Sequence, residues 1–143
     1  MSLTLILLAA GDSKRFKSNT PKLYHKINNK TLLEYSLNSF KHFKEIKNTV
    51  IVYNKKHKKY LDKLSLKKII KITGGKSRQE STLKALNKIK KMNCKKVLIH
   101  DSARPDPPKK LIKKIIYNLK NNHAVIPVIK VNDATKRTEK NII

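Results

Sequence analysis

The sequence has one cysteine, Cys94, which excludes an intramolecular disulfide and a cysteine-based zinc site and fits a reducing compartment. Cys94 reads as a small buried hydrophobe. Long hydrophobic runs are missing as well. None approaches the ~18 residues that a membrane span needs, so no membrane partner is expected. Acid is scarce, with nine Asp plus Glu against 35 Lys plus Arg and a net charge of +26. Such an excess favours a polyanionic partner, whether nucleic acid, an anionic membrane or a small phosphorylated substrate. Arginine is nearly absent too, limited to Arg15, Arg78, Arg104 and Arg137. The lysines are spread along the whole chain, whereas a nucleic-acid binder clusters its charge on one face among aromatic or arginine contacts. The general charge therefore describes a solvated surface, and nucleic acid is not the expected partner. The four arginines are the discriminating positions.

What is present suits one globular domain. At 143 residues and 38% apolar content the chain can bury a core and is not a disordered tail. The opening Ser2–Ala10 stretch lacks the basic start and small-residue cleavage pattern of a secretory signal. It reads as the buried first strand of a cytoplasmic protein.

Strand and helix patterns then alternate. The continuous apolar run Thr4–Ala9 predicts a central parallel strand, followed by a polar loop through Pro21. Thr31-Leu32-Leu33-Glu34 has capping-box spacing and opens a helix that Phe40 and Phe43 continue. Further strands are expected at Thr49–Tyr53, Ile69–Thr73, Lys96–His100 and Ala124–Val128. Helices are expected at His57–Leu64, at Ser77–Met92 with an inner stripe of Leu83, Leu86 and Ile89, and at Lys109–Asn121. The alternation implies βαβ crossovers and a doubly wound, mostly parallel, Rossmann-like α/β sheet. Residues 1–130 are assigned to this nucleotide-binding domain. Beyond Val128 the sequence turns polar and basic, and a doubly wound domain ending on a strand would leave a face or edge uncovered. The chain is expected to be incomplete or to lean on a partner.

In open α/β sheets, ligands bind beyond the carboxyl ends of the strands. Three such ends carry candidate chemistry. The loop Leu8-Ala9-Ala10-Gly11-Asp12-Ser13-Lys14-Arg15, followed by Pro21-Lys22, combines small residues for close backbone approach with two cations. It is neither a Walker A loop nor GxGxxG, and an ordinary turn with solvated Lys and Arg would look the same. Thr73-Gly74-Gly75-Lys76-Ser77-Arg78-Gln79-Glu80-Ser81 runs from a strand end into a helix start, where backbone can contact a base and the dipole favours negative charge. A plain turn with Ser77 as N-cap is the alternative. In His100-Asp101-Ser102-Ala103-Arg104-Pro105, Asp101 is a natural Mg²⁺ ligand beside substrate phosphates, or else a structural partner of Arg104. His100 reads as a packed or loop-orienting residue rather than a base, because a phosphomonoester is already largely ionised near neutral pH.

Together these segments closely resemble the 2-C-methyl-D-erythritol 4-phosphate cytidylyltransferases of the non-mevalonate isoprenoid pathway. The resemblance rests on Leu8-Ala9-Ala10-Gly11, Arg15-Phe16, Pro21-Lys22, Gly74-Gly75, Arg78, Ser81 and His100-Asp101-Ser102-Ala103-Arg104-Pro105, and runs in register over essentially the whole chain. It implies a nucleotidyltransferase fold and transfer of CMP from CTP to the sugar-alcohol phosphate, with Mg²⁺. It further implies that backbone groups of Ala9, Ala10 and Gly75, with the Ser81 hydroxyl, read cytosine, while Gly11 and Ser102 lie near the ribose. Arg15 and Lys22 would act catalytically on the triphosphate, Arg78 and Arg104 would bind substrate, and Asp101 would hold the metal. Residues 131–143, with Asp133 and Lys136-Arg137, resemble the start of the family's dimerisation arm, implying a homodimer.

Some positions depart from the family. Ser13-Lys14 stands where Gly-Arg is common, and Lys76 where an acidic residue is common. Ala134 falls where a substrate-contacting Thr is expected, with Thr135 adjacent; Asp133 and Thr135 are the substrate candidates there. The family runs about half as long again, so the sequence resembles its front part. A ribitol 5-phosphate cytidylyltransferase or a non-catalytic nucleotide-binding remnant would share these motifs, and a basic nucleic-acid-binding module is the reading from another class.

Overall fold

The computed structural model describes residues 2–13, 15–92 and 94–130. The chain divides into two compact units, residues 1–109 and 110–143.

The first unit is built on four parallel strands, β1 (Leu3–Ala9), β4 (Ile46–Tyr53), β5 (Ile70–Thr73) and β6 (Lys96–Asp101), in the order β5-β4-β1-β6. β1 is central and pairs in parallel with both β4 and β6, Leu7 lying between Ile51 and His100. Leu3, Leu5, Ile6 and Leu7 are buried across its two faces, as the unbroken apolar run requires of a strand covered on each side. Alternation sorts them. Ile6 faces a cluster with Val50, Val52, Ala85 and Ile89, which docks α3 (Arg78–Ile89) on that face. Leu3, Leu5 and Leu7 point to the opposite face and are 0–1% exposed. There α1 (Leu32–Phe40) reaches β6, with the rings of Phe40 and His100 4.9 Å apart. Helices on both faces make the sheet doubly wound.

Local chemistry fixes where the helices start. Thr31 caps α1, its hydroxyl accepting from the Glu34 amide at 3.2 Å while the Glu34 carboxylate accepts from the Thr31 amide at 2.7 Å. The capping box read from the sequence is formed. It is delivered by a hairpin that the sequence patterns do not predict: β2 (Lys26–Ile27) and β3 (Lys30–Thr31), joined by Asn28 and Asn29 at φ 46° and 65°. Two consecutive left-handed residues suit a tight hairpin turn, and Asn tolerates them. A short α2 (Lys58–Asp62) follows β4 and buries Leu61. Ser77 caps α3, accepting from the Glu80 amide at 3.0 Å.

Two expectations are corrected. Leu83 is 56% exposed, and the inward stripe of α3 is Ser81, Ala85 and Ile89, with Leu86 at its margin. The small residues set the register because α3 lies close over the strand ends. In the second unit, α4 (Lys109–Asn118) buries Ile112 and Ile116, one helical turn apart. The expected strand at Ala124–Val128 is absent. Residues 124–130 are irregular, with Ile126, Val128 and Ile129 79–90% exposed. Pro127 removes a ladder donor from the middle of the segment, and among the described residues no strand pairs with it.

Candidate functional site

Because all four strands run the same way, their carboxyl ends open on one edge of the sheet. A cleft of about 910 Å³ lies there, a size that suits a nucleotide-sized ligand. Its walls come from the loops after β1, β4, β5 and β6, and include Ala10, Gly11, Arg15, Lys22, Gly75, Arg78, Ser81, Asp101 and Arg104. Nine of the sequence-predicted site residues are thus brought together. Ala9 and Ser102 are not on the wall. Ala9 is 1% exposed and ends β1 in the ladder. Ser102 is wholly buried: its amide donates to the Leu8 carbonyl at 3.1 Å and its carbonyl accepts from the Ser36 hydroxyl at 2.9 Å. Its own hydroxyl has no partner. Ser102 fastens the loop after β6 to β1 and α1, which places Asp101 rather than offering a group to a ligand. Asp133 and Thr135 lie outside the described residues, as do Lys14 and the arm at 131–143.

The loop after β5 is the most tightly organised wall. Gly75 donates its amide to the Ser81 hydroxyl oxygen at 3.0 Å, and Lys76 donates its amide to the Glu80 carboxylate at 2.7 Å. Lys84 bridges the same carboxylate at 3.1 Å and the Gly74 carbonyl at 3.3 Å. The Lys76 amide, then Lys84, hold the Glu80 carboxyl below its ordinary pKa. Both glycines are needed for close approach. A Cβ on Gly74 would collide with the Ala10 side chain, and one on Gly75 with Glu80.

Asp101 is shared by two arginines. Nε and Nη2 of Arg78 both lie 3.2 Å from Oδ1, while Arg104 Nε stands 3.9 Å from Oδ2. The sequence offered Arg104 as the structural partner, but Arg78, brought over by α3, is the closer one. With the arginines 66% and 81% exposed, these pairs contribute up to ~1 kcal/mol each and serve mainly to orient. His100 accounts for the rest of the loop. Its Nε2 is 2.8 Å from the Arg104 carbonyl and its ring packs on Phe40, the packed, loop-orienting role read from the sequence. Among the described residues no group of three His, Cys, Asp or Glu is assembled for a metal. Asp101 offers the cleft one carboxylate whose Oδ2 has only Arg104, 3.9 Å away, against it, the donor type a hard cation shared with phosphates takes.

The sequence profile of one family, 2-C-methyl-D-erythritol 4-phosphate cytidylyltransferase (IspD), matches residues 3–143. The chain belongs to the IspD family. A bifunctional IspD/IspF enzyme of Pelagibacter ubique is 47% identical over 141 residues, covering 99% of this chain and 38% of that protein. The 2-C-methyl-D-erythritol 4-phosphate cytidylyltransferase of Idiomarina loihiensis is 34% identical, covering 95% of this chain and 55% of that one. Among solved structures, the bifunctional IspDF of Campylobacter jejuni superposes with a TM-score of 0.82 at 31% identity, covering 96% of this chain and 36% of that one. The chain therefore spans between about a third and a little over half the length of these IspD relatives.

Within this IspD fold the sequence reading missed one strand end. Asn54, Lys55 and Lys56, just past β4, line the cleft beside the loop after β1. The signal was available, since any strand end on this edge faces the site. Glu80 and Lys84 were also passed over, because their contacts depend on how α3 turns back over the glycines. On the walls, eight cations (Arg15, Lys22, Lys55, Lys56, Lys76, Arg78, Lys84, Arg104) face three carboxylates (Asp12, Glu80, Asp101). Such a field attracts a polyanion.

Proposed function

We propose that the chain carries the CTP-binding part of a cytidylyltransferase that moves CMP from CTP to 2-C-methyl-D-erythritol 4-phosphate and releases pyrophosphate. The observation that carries this reading is the pairing of two unlike walls in one cleft. Arg15 and Lys22 bring cations on one side, and the Gly74–Ser81 loop, fixed by its own Gly75 and Lys76 amide bonds, presents a rigid face for a base on the other. An oxygen of the acceptor phosphate attacks the α-phosphorus in line, the bond to the β-phosphate oxygen breaks, and the charge that gathers on the leaving pyrophosphate is met by Arg15 and Lys22. No side-chain base is required, because the attacking phosphate is already ionised. Mg²⁺, when bound, would neutralise phosphate charge beside Asp101. A homodimer through residues 131–143 and a cytoplasmic location belong to the same reading.

The test is pyrophosphate release from CTP in the presence of Mg²⁺ and the sugar phosphate. Lys22→Ala and Arg15→Ala are each expected to lower it by on the order of 10²-fold or more. Equal turnover of CTP and UTP by a full-length version would sink the proposal.

A further inference from the structure

The geometry points to Asn54 as the positioning residue that holds the loop after β1 in its phosphate-facing shape. This rests on the CTP-binding reading of the same cleft. Asn54 stands one residue past β4, and its side-chain amide nitrogen donates to the Ala10 carbonyl at 3.2 Å and to the Asp12 carboxylate at 2.5 Å. Its side-chain oxygen accepts from the Lys56 amide at 3.0 Å. One side chain thus joins two neighbouring strand-end loops that lie more than 40 residues apart in sequence. Among the described residues no other side chain hydrogen-bonds to residues 10–13, and Gly11 makes no close contact where a Cβ would stand. The loop therefore leans on Asn54. The bond to Asp12 has a second effect. Asp12 is a carboxylate on the wall of a site that must take a triphosphate, and Asn54 occupies one of its oxygens. A Lys56 amide bond alone would be an ordinary local cap, but the contacts to Ala10 and Asp12 are not local.

Two variants separate these roles. Asn54→Ser keeps an acceptor for the Lys56 amide but is too short to carry a donor to Ala10 and Asp12. Asn54→Asp turns the donor into a repelling acceptor, and adding Asp12→Asn restores a donor–acceptor pair between the two positions. CTP affinity is read by calorimetry on the 143-residue chain with Mg²⁺, alongside the melting temperature and amide hydrogen exchange at Gly11 and Asp12. Asn54→Ser is expected to weaken CTP about tenfold, the scale of one lost charge-assisted hydrogen bond, and to speed exchange at Gly11. Asn54→Asp should weaken it further, and the double variant should recover part of that loss, since the bond to position 12 returns while the Ala10 carbonyl stays without its donor. Unchanged CTP affinity in Asn54→Ser, or no recovery in the double variant, overturns the assignment to Asn54. An unsubstituted chain that binds UTP as tightly as CTP, or neither, overturns instead the nucleotide reading on which it rests.

Discussion

The two walls of the cleft are held by different means. The loop at 74–81 is closed by its own Ser77, Glu80 and Ser81, with Lys84 of α3 reaching back to the Gly74 carbonyl. Among the described residues, the loop at 10–15 has almost nothing of its own. It has a turn from the Phe16 amide to the Ser13 carbonyl at 2.8 Å, a non-glycine residue at φ 54° in Ser13, and a clamp from a neighbouring strand end. The lesson concerns the kind of ligand group each can meet. A base is planar and is told apart by fixed donors and acceptors, so a self-supported backbone suits it. A polyphosphate is flexible and is attracted mainly by charge, so its loop can be looser so long as cations arrive.

The most damaging way to break this contrast is to force the walls apart. Gly74→Ala places a methyl group against the Ala10 side chain and near the Ser81 hydroxyl, where backbone and a short side chain cannot yield. It should cost about 1–3 kcal/mol of stability and weaken CTP binding with it. Chemical denaturation and calorimetry would show both, and a wild-type midpoint would contradict the packing argument. Gly75→Ala meets only the half-exposed Glu80 side chain and should cost less.

A smaller effect, of opposite sign, is expected in the looser wall. Ser13→Gly removes the left-handed penalty at φ 54° but adds freedom to the unfolded chain, for a net gain below about 1 kcal/mol. A melting temperature unchanged or lowered by this substitution would remove strain from the account.

Least in size is a pH effect confined to the tight wall. The Glu80 carboxyl is held below its ordinary pKa by the Lys76 amide and Lys84. The unfolded chain takes up that proton first as pH falls, so the contribution is present at neutral pH and fades through the carboxylate range toward the lowered folded value. Glu80→Gln should flatten this acid limb of the stability curve. Parallel curves for the two proteins would show that Glu80 is not linked to folding.

How far the sequence could be read tracks how local each feature is. The capping box at Thr31 and Glu34 and the cap at Ser77 were legible because their chemistry spans three residues. The motif residues of the cleft were legible because strand ends can be located and their loops searched. Leu83 was misread because periodicity counts apolar residues, whereas α3 turns its small residues inward to approach the strands. Ala124–Val128 was misread because an apolar run says nothing about whether a neighbouring strand exists. Ser102, which the resemblance puts near the ribose, is buried and ties down the loop after β6, a contact that motif membership does not reveal. Asn54 and the Arg78–Asp101 pair were invisible for the same reason: both are contacts between loops set side by side only by the sheet order.

That order also sets a schedule for synthesis. The central strand β1 is made first, yet its partner on one side begins pairing at Ile46 and on the other at Lys96, so Leu3 waits 93 residues for its second neighbour. At ribosomal speeds of ~5–20 residues per second the wait is on the order of 5–20 s. During it an uncharged, apolar seven-residue segment, Leu3–Ala9, stands with at least one open edge. The feature that gathers four loops around one ligand thus leaves an apolar strand edge open during synthesis, the kind of edge that pairs readily with another chain.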